Sequence, residues 1–237
     1  RCCAASGVSV LAAGPVAGGS AALPRSVVKP WGMSTDVLVI GSGSAGVCAA
    51  IEARQAGAEV MLIESLSQFG GSSAMSGGVV YAGGGTALQK ALKVDDSVEE
   101  MYRFVALAGD ANPPLDKIAL YCEESPAHFD WLVAQGIPYS EKLTLAKGLP
   151  MGDESLYFSG TEQAWPAREL AKPALRGHVP GVDGMNGGRR LMEALLSRAY
   201  TLGVSLRASV SADRLVIESD GRSAGVIVTV AGESLAK

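Results

Sequence analysis

The feature that most constrains this chain is Gly41-Ser42-Gly43-Ser44-Ala45-Gly46, three glycines at G-x-G-x-x-G spacing between an apolar run and a helix-forming run. Residues 36–40, ending Val-Leu-Val-Ile, read as a buried strand. Residues 45–56 have the composition of a helix, and Gly57 is placed to close it. Residues 59–64 read as a second strand, so the whole is a βαβ crossover. In such a unit the first glycine permits the tight turn, the second lets a pyrophosphate reach the backbone, and the third lets helix and sheet pack closely. The helix N-terminus then turns its N–H groups toward the phosphates. Glu64 stands 18 residues beyond Gly46, at the end of the second strand, where a carboxylate can accept from ribose hydroxyls. A dinucleotide is the expected ligand, and the fingerprint alone does not choose which.

Composition excludes other classes. At 48% hydrophobic and 19% charged residues, the 237-residue chain buries a core and is not disordered by charge. Glycine is 30 of those residues, against roughly 7% in average proteins, so many turns and close approaches are specified. The net charge of -4, with no basic stripe, argues against a nucleic-acid partner. Cys2, Cys3, Cys48 and Cys122 show no C-x-x-C spacing, and His128 and His178 stand far apart in sequence. Neither a zinc site nor a disulfide framework is indicated, and Cys48 and Cys122 read as small core residues on helices.

Residues 1–32 differ from the rest, being rich in Ala, Gly, Ser and Val, without charge from Cys2 to Leu23. Two readings stand side by side. One is the remnant of a twin-arginine export signal, with Arg1 as half of the pair; the other takes Met33 as the true start, with upstream sequence before it. The first places the protein outside the cytoplasm, the second inside it. Pro15 and the repeated glycines argue against a stable membrane span here.

Further on, Ser97 and Glu100 form a capping-box pair opening a helix to about residue 108. Asp116 is placed to cap the next helix, which ends near Gly136 and carries Pro126 as a kink or break. Residues 148–187 are rich in Pro and Gly without a period, a connection of the kind that wraps something. A helix over 189–202 stopped by Gly203 follows, then strands at 204–208, 215–218 and 224–230, the last two joined by Ser219-Asp220-Gly221-Arg222.

After Glu64 the chain runs Phe69-Gly70-Gly71-Ser72-Ser73-Ala74-Met75-Ser76-Gly77-Gly78. Here it resembles the FAD-binding flavoprotein family of fumarate reductases, succinate dehydrogenases and 3-ketosteroid dehydrogenases. The resemblance extends to Lys237, through Trp131-Leu132, Gly136-Ile137, Asn186-Gly187-Gly188 with the helix after it, and Gly221-Arg222 with Gly225-Val226. Tyr81-Ala82-Gly83-Gly84-Gly85-Thr86 with Gln89, Leu156-Tyr157-Phe158-Ser159-Gly160 and Arg176-Gly177-His178 are most similar to the 3-oxosteroid 4-dehydrogenase type.

The resemblance implies an α/β fold: a Rossmann-like FAD-binding domain, βαβ with a glycine-rich flavin loop, and the beginning of an inserted capping region. On that scheme residues 33–112 are the first part of the FAD-binding domain, 113–187 a helical and irregular cap-like segment, and 188–237 its helix and strand hairpin. Family members continue past this point, so the chain reads as an N-terminal fragment. FAD is the implied cofactor, held by Gly41, Ser42, Gly43, Ser44, Ala45, Gly46, Glu64, Ser65, Gly70, Gly71, Ser72, Ser73, Gly77 and Gly78, with the backbone at Ala212 meeting the adenine. Binding is expected to be noncovalent, because Gly71 stands where succinate dehydrogenases carry their flavin-linked histidine.

The implied reaction is dehydrogenation of a CH–CH bond beside a 3-keto group, with hydride passing to flavin and then to an external electron acceptor. Two alternatives stay open: a fumarate- or enoate-reducing flavoprotein, and a catalytically dead FAD-binding fragment. Tyr81 and His178 are the candidate catalytic residues. Each has a plainer alternative, Tyr81 as an aromatic packed under the glycine loop and His178 as a surface or hydrogen-bonded loop residue. Arg176 has one as well, as the partner of a carboxylate.

Overall fold

The computed structural model describes residues 8–12 (backbone only), 21–28, 31–109, 112–146, 148–181 and 186–231. It divides into two compact units, residues 1–71 with 195–237, and residues 72–194. Helices Val98–Ala108 and Leu115–Ala134, on either side of residue 112, both lie in the second unit.

The first unit holds the crossover. Strands Val37–Ile40, Val60–Ile63 and Ser205–Arg207 form a parallel sheet in that order, with Val37 opposite Val60 and Met61 opposite Ser205. Helix Ser44–Gln55 joins the first two strands and buries Val47, Ala50 and Ile51, the i, i+3, i+4 face expected of a helix lying on a sheet. Gly57, at φ +93°, takes the chain out of that helix in a conformation other residues resist. Asp36 and Thr35 fasten the entry to the sheet: the Asp36 carboxylate accepts from Glu59 N–H at 2.8 Å, and Thr35 Oγ1 donates to Glu59 O at 2.7 Å.

A five-stranded sheet accompanies it, built on the antiparallel hairpin Val210–Ile217 and Ser223–Val230. Gly221, at φ +85°, makes the hairpin turn. The first of these strands starts five residues earlier than the sequence suggested, because Val210 and Val216 both point into the core. Met61 and Ile63 pack with Val210, Val226 and Val228, and this apolar cluster joins the two sheets. Strand Val8–Ala12 pairs with Ser223–Val230, and Leu23–Pro24 pairs with Val210–Ile217. Part of the expected leader is therefore sheet here; residues 1–7, 13–20 and 29–30 of it lie outside the described residues.

The second unit is helical around a small sheet. Strands Val80–Tyr81, Gly177–His178 and Leu156–Tyr157 pair antiparallel with Gly177–His178 in the middle. The irregular stretch after Gly148 thus supplies two of the three strands. Leu88, Phe129, Leu156 and Leu175 form the core beside it. A full capping box lies at Thr86 and Gln89, opening helix Ala87–Ala91. At Ser97 only the cap hydroxyl acts, because the Glu100 carboxylate instead pairs with Arg103 and accepts from Lys172 N–H. Helix Leu115–Ala134 starts after Pro114, so Asp116 sits in its first turn rather than at the cap, and Pro126 does not divide it. Among the described residues no helix is long and apolar enough to cross a membrane.

Candidate functional site

In the first unit the glycine bend is open. A Cβ built on Gly41 meets nothing within 4 Å, yet its φ of +95° favours glycine there. Gly46 is glycine for a different reason: a Cβ there would run into the Gly41 carbonyl oxygen. Gly43 is the N-cap residue of helix Ser44–Gln55, and no side chain caps that end. An uncapped helix N-terminus on an open glycine turn is the geometry that receives an anion.

Glu64 lies directly behind this bend, 7% exposed. Its Oε2 accepts from Ser42 N–H at 2.9 Å and from Ser42 Oγ at 2.6 Å. Its Oε1 accepts from Leu66 N–H at 3.0 Å and from Ser65 Oγ at 3.1 Å. Burial works against ionisation, but the hydrogen bonds from Leu66, Ser42 and Ser65 outweigh it and hold the carboxyl at about 2. Glu64 is thus a fixed anion with a full set of donors.

Ser42, one of the residues expected to hold the cofactor, is fully buried. Its hydroxyl donates to Glu64 and accepts from Gly70 N–H at 2.9 Å. The serine sits behind the bend, joining it to the acid and to the second glycine pair. Ser65 is exposed beside the acid. The strand carrying Ala212 is tied to the same corner, with Ser209 N–H on Leu66 O at 2.9 Å and Val210 N–H on Glu64 O at 2.8 Å. Ala212 itself is exposed, opposite Val228 where the pairing register shifts.

In the second unit the flavin-loop glycines have a packing reason that sequence reading missed. A Cβ on Gly78 would strike the Gly187 and Gly188 backbone, one on Gly187 would strike Gly77 O, and one on Gly188 would strike Ser76 O and Ser73 O. Gly188 N–H donates to Ser76 O at 3.1 Å across this crossing. Ser72 is exposed, Ser73 and Gly77 are half-buried, and Gly78 is buried. Leu149 lies against Gly77, with Cδ2 3.0 Å from where a Cβ would stand. Leu149 also lines a cavity of about 330 Å³ with Tyr157, Phe158, Ser159 and Ala164.

The three short motifs of the steroid 4-dehydrogenase resemblance meet in one place. They supply the three strands of the small sheet and a buried polar network beneath it. Asp96 takes Arg176 in a two-pronged pair, Nε to Oδ2 at 3.0 Å and Nη2 to Oδ1 at 2.7 Å, both side chains fully buried. Gly84 N–H and Gln89 Nε2 donate to the same carboxylate at 2.9 and 3.0 Å. Burial opposes the charge on Asp96, but the Arg176 hydrogen bonds and charge hold its carboxyl below the ordinary range. Gly83 must be glycine, since a Cβ would stand 2.6 Å from Asp96 Oδ2. Nothing in the sequence marked Asp96, which is 80 residues from its partner.

His178 is fully buried, 4.5 Å from the Phe129 ring centre. Its Nδ1 faces Arg176 O at 3.0 Å and its Nε2 faces Thr86 Oγ1 at 3.0 Å. The carbonyl can only accept, so Nδ1 carries the proton and Nε2 accepts from the threonine hydroxyl. Burial lowers its pKa to about 4. Both nitrogens are engaged inside the fold, where the residue acts as a strut. Tyr81 stacks on Phe104 at 6.1 Å, and burial, helped by the Glu162 carboxylate, pushes its phenol well above the ordinary range.

An open, uncapped glycine bend backed by an ionised acid at the end of the next strand defines a dinucleotide-binding α/β domain. The chain belongs to the FAD binding domain family, whose model matches residues 36–236. It is 35% identical over 209 residues, 86% of this chain, to the 3-oxo-5-alpha-steroid 4-dehydrogenase of Comamonas testosteroni. It is similar to the crystal structure of 3-ketosteroid-delta4-(5alpha)-dehydrogenase from Rhodococcus jostii RHA1 in complex with 4-androstene-3,17-dione, with a TM-score of 0.85 and 40% identity over 90% of this chain. A fumarate reductase (cytochrome) of Shewanella frigidimarina is 28% identical over 82% of the chain. The chain spans 39%, 45% and 30% of these three proteins' own lengths.

Proposed function

We propose that this chain supplies the FAD-holding part of an oxidoreductase that dehydrogenates a CH–CH bond of a 3-ketosteroid. The observation that carries this reading is the 35% identity to a steroid 4-dehydrogenase across 86% of the chain. The N–H groups of Gly43, Ser44, Ala45 and Gly46 hold the diphosphate, with Gly41 shaping the turn. Glu64 and Ser65 hold the adenosine ribose. Of the four donors already on Glu64, Ser65 Oγ is the longest at 3.1 Å and belongs to an exposed residue, so an incoming ribose hydroxyl takes its place. The backbone at Ala212 meets the adenine, and Gly70, Gly71, Ser72, Ser73, Gly77 and Gly78 line the remainder of the cofactor. Gly71 offers no side chain for a covalent link, so the cofactor is held noncovalently.

Bound FAD supplies the hydride acceptor; the protein contributes placement, electrostatics and exclusion of water. A 3-keto group acidifies the neighbouring C–H, one hydride leaves from the adjacent carbon, and an external acceptor takes the two electrons onward. The cavity walled by Leu149, Tyr157 and Phe158 offers apolar side chains to a ring system, and its Leu149 lies against Gly77. The proton step is not assigned to His178, whose nitrogens are both engaged, or to Tyr81, whose phenol burial pushes above the ordinary range.

The likeness to fumarate reductase favours a second reading, reduction of an activated C=C bond, less strongly because identity there is 28%. Anaerobic mixing of the full-length flavoprotein with substrate separates the two. Bleaching of the flavin by a saturated 3-ketosteroid, but not by succinate, supports steroid dehydrogenation. Reoxidation of the reduced flavin by fumarate, without any response to steroid, overturns it. Release of the flavin by acid precipitation checks the noncovalent assignment.

A further inference from the structure

We propose that Ser42 is a positioning residue for the adenosine half of the cofactor: its hydroxyl ties Glu64 and the second glycine pair to one point behind the bend, and so sets the carboxylate that the ribose meets. This rests on the reading that the bend takes the diphosphate and Glu64 the ribose. Ser42 is fully buried. A serine hydroxyl has one proton to give and two lone pairs to accept with. The proton goes to Glu64 Oε2 at 2.6 Å, a charge-assisted bond, and one lone pair takes Gly70 N–H at 2.9 Å.

The backbone of the same residue grips the same oxygen, Ser42 N–H to Oε2 at 2.9 Å. The two carboxylate oxygens therefore have different jobs. Oε2 is held from behind by one buried residue, while Oε1 is met by Leu66 N–H and Ser65 Oγ, both from exposed residues. With Oε2 pinned, Oε1 has one orientation to offer a ribose hydroxyl. Replacing Ser42 by alanine leaves the backbone bond but strips Oε2 of its shortest donor. It also leaves a buried Gly70 N–H without a partner, at the start of the segment expected to follow the pyrophosphate.

The test is FAD titration of the apo form of the full chain, followed by flavin fluorescence, for the wild type, Ser42→Ala, Glu64→Gln and the double variant. Ser42→Ala is expected to weaken FAD about tenfold, the size of one lost charged hydrogen bond. The double variant is expected to bind at least about threefold more tightly than the product of the two single effects, because the residues act through one contact. Ser42→Gly, which removes the hydroxyl without adding bulk, should repeat the result and serves if the alanine variant does not fold. FAD affinity equal to wild type overturns the proposal, whatever the melting temperature does. So do single effects that multiply without coupling, since a purely structural serine would behave that way. A wild type that takes up no FAD overturns the reading of the bend itself, and this proposal with it.

Discussion

Two polar clusters lie in this chain, one in each unit, and they differ in what they leave open. Glu64 in the first unit and Asp96 in the second are both carboxylates below the ordinary range, each with four donor contacts within about 3 Å. Around Glu64 every donor is neutral, and the bend in front of it, with its uncapped helix end, stays accessible. Around Asp96 the leading donor is a buried guanidinium, and the glycines at 83–85 close backbone over the pair. Burial and a shifted pKa thus do not distinguish a ligand site from a scaffold. What differs between the two is the accessible helix N-terminus beside Glu64.

The comparison breaks most readily at Arg176. Arg176→Met keeps the length of the side chain and leaves Asp96 as a buried charge without its partner, which should cost about 3–5 kcal/mol in denaturant unfolding. Replacing Asp96 by Leu in the same protein should recover much of that loss, since well-packed apolar pairs often equal buried ion pairs. A single-variant cost below about 1 kcal/mol would mean that this network does not hold the small sheet together.

Acid titration separates the clusters next, through residues whose folded pKa values both lie below their ordinary ones. His178 sits at about 4 against 6.5, so the unfolded chain binds its proton first. Its contribution is complete above pH 6.5 and is lost as pH falls from 6.5 toward 4, up to about 3 kcal/mol. Glu64, at about 2 against 4.5, contributes fully above pH 4.5 and loses that contribution only as pH falls toward 2. The melting temperature should therefore begin to fall below pH 6.5 in the wild type, and His178→Asn should flatten the 6.5 to 4 window while Glu64→Gln leaves it intact. A slope between pH 6.5 and 4 that survives His178→Asn would remove the histidine from its place as a buried neutral strut.

How much of this could be read from sequence follows from the range of the interactions. The bend, helix Ser44–Gln55 and the acid are specified within about 25 residues, by backbone demands that only glycine meets and by a carboxylate at one spacing. They were legible, as was the family. The bonds of the Ser42 hydroxyl to Glu64 and Gly70 were not legible, because they join residues 22 and 28 positions apart. Asp96 was invisible because its partner lies 80 residues away and a charged pair beside a helix cap reads as surface. The glycines at 77–78 and 187–188 were noticed as separate motifs, but the backbone crossing that demands them exists only in three dimensions. Helix starts went wrong by a residue or two where a nearby acid looked like a better cap than the proline that holds the position.

Arg103 sharpens the contrast at its small end. Like Arg176 it reaches two carboxylate oxygens, Glu99 Oε1 at 2.5 Å and Glu100 Oε1 at 2.9 Å. Its side chain is 49% exposed where that of Arg176 is 0%. Water screens the exposed pairs and already solvates all three groups in the unfolded chain, so little is gained by pairing them on the helix surface. Arg103→Ala should change unfolding free energy by no more than about 0.5 kcal/mol, with the effect shrinking as salt is added. The check is chemical denaturation of the same chain in low and high salt beside Arg176→Met. Equal costs for the two arginines would show that the count of ion contacts, and not their removal from water, governs stability here.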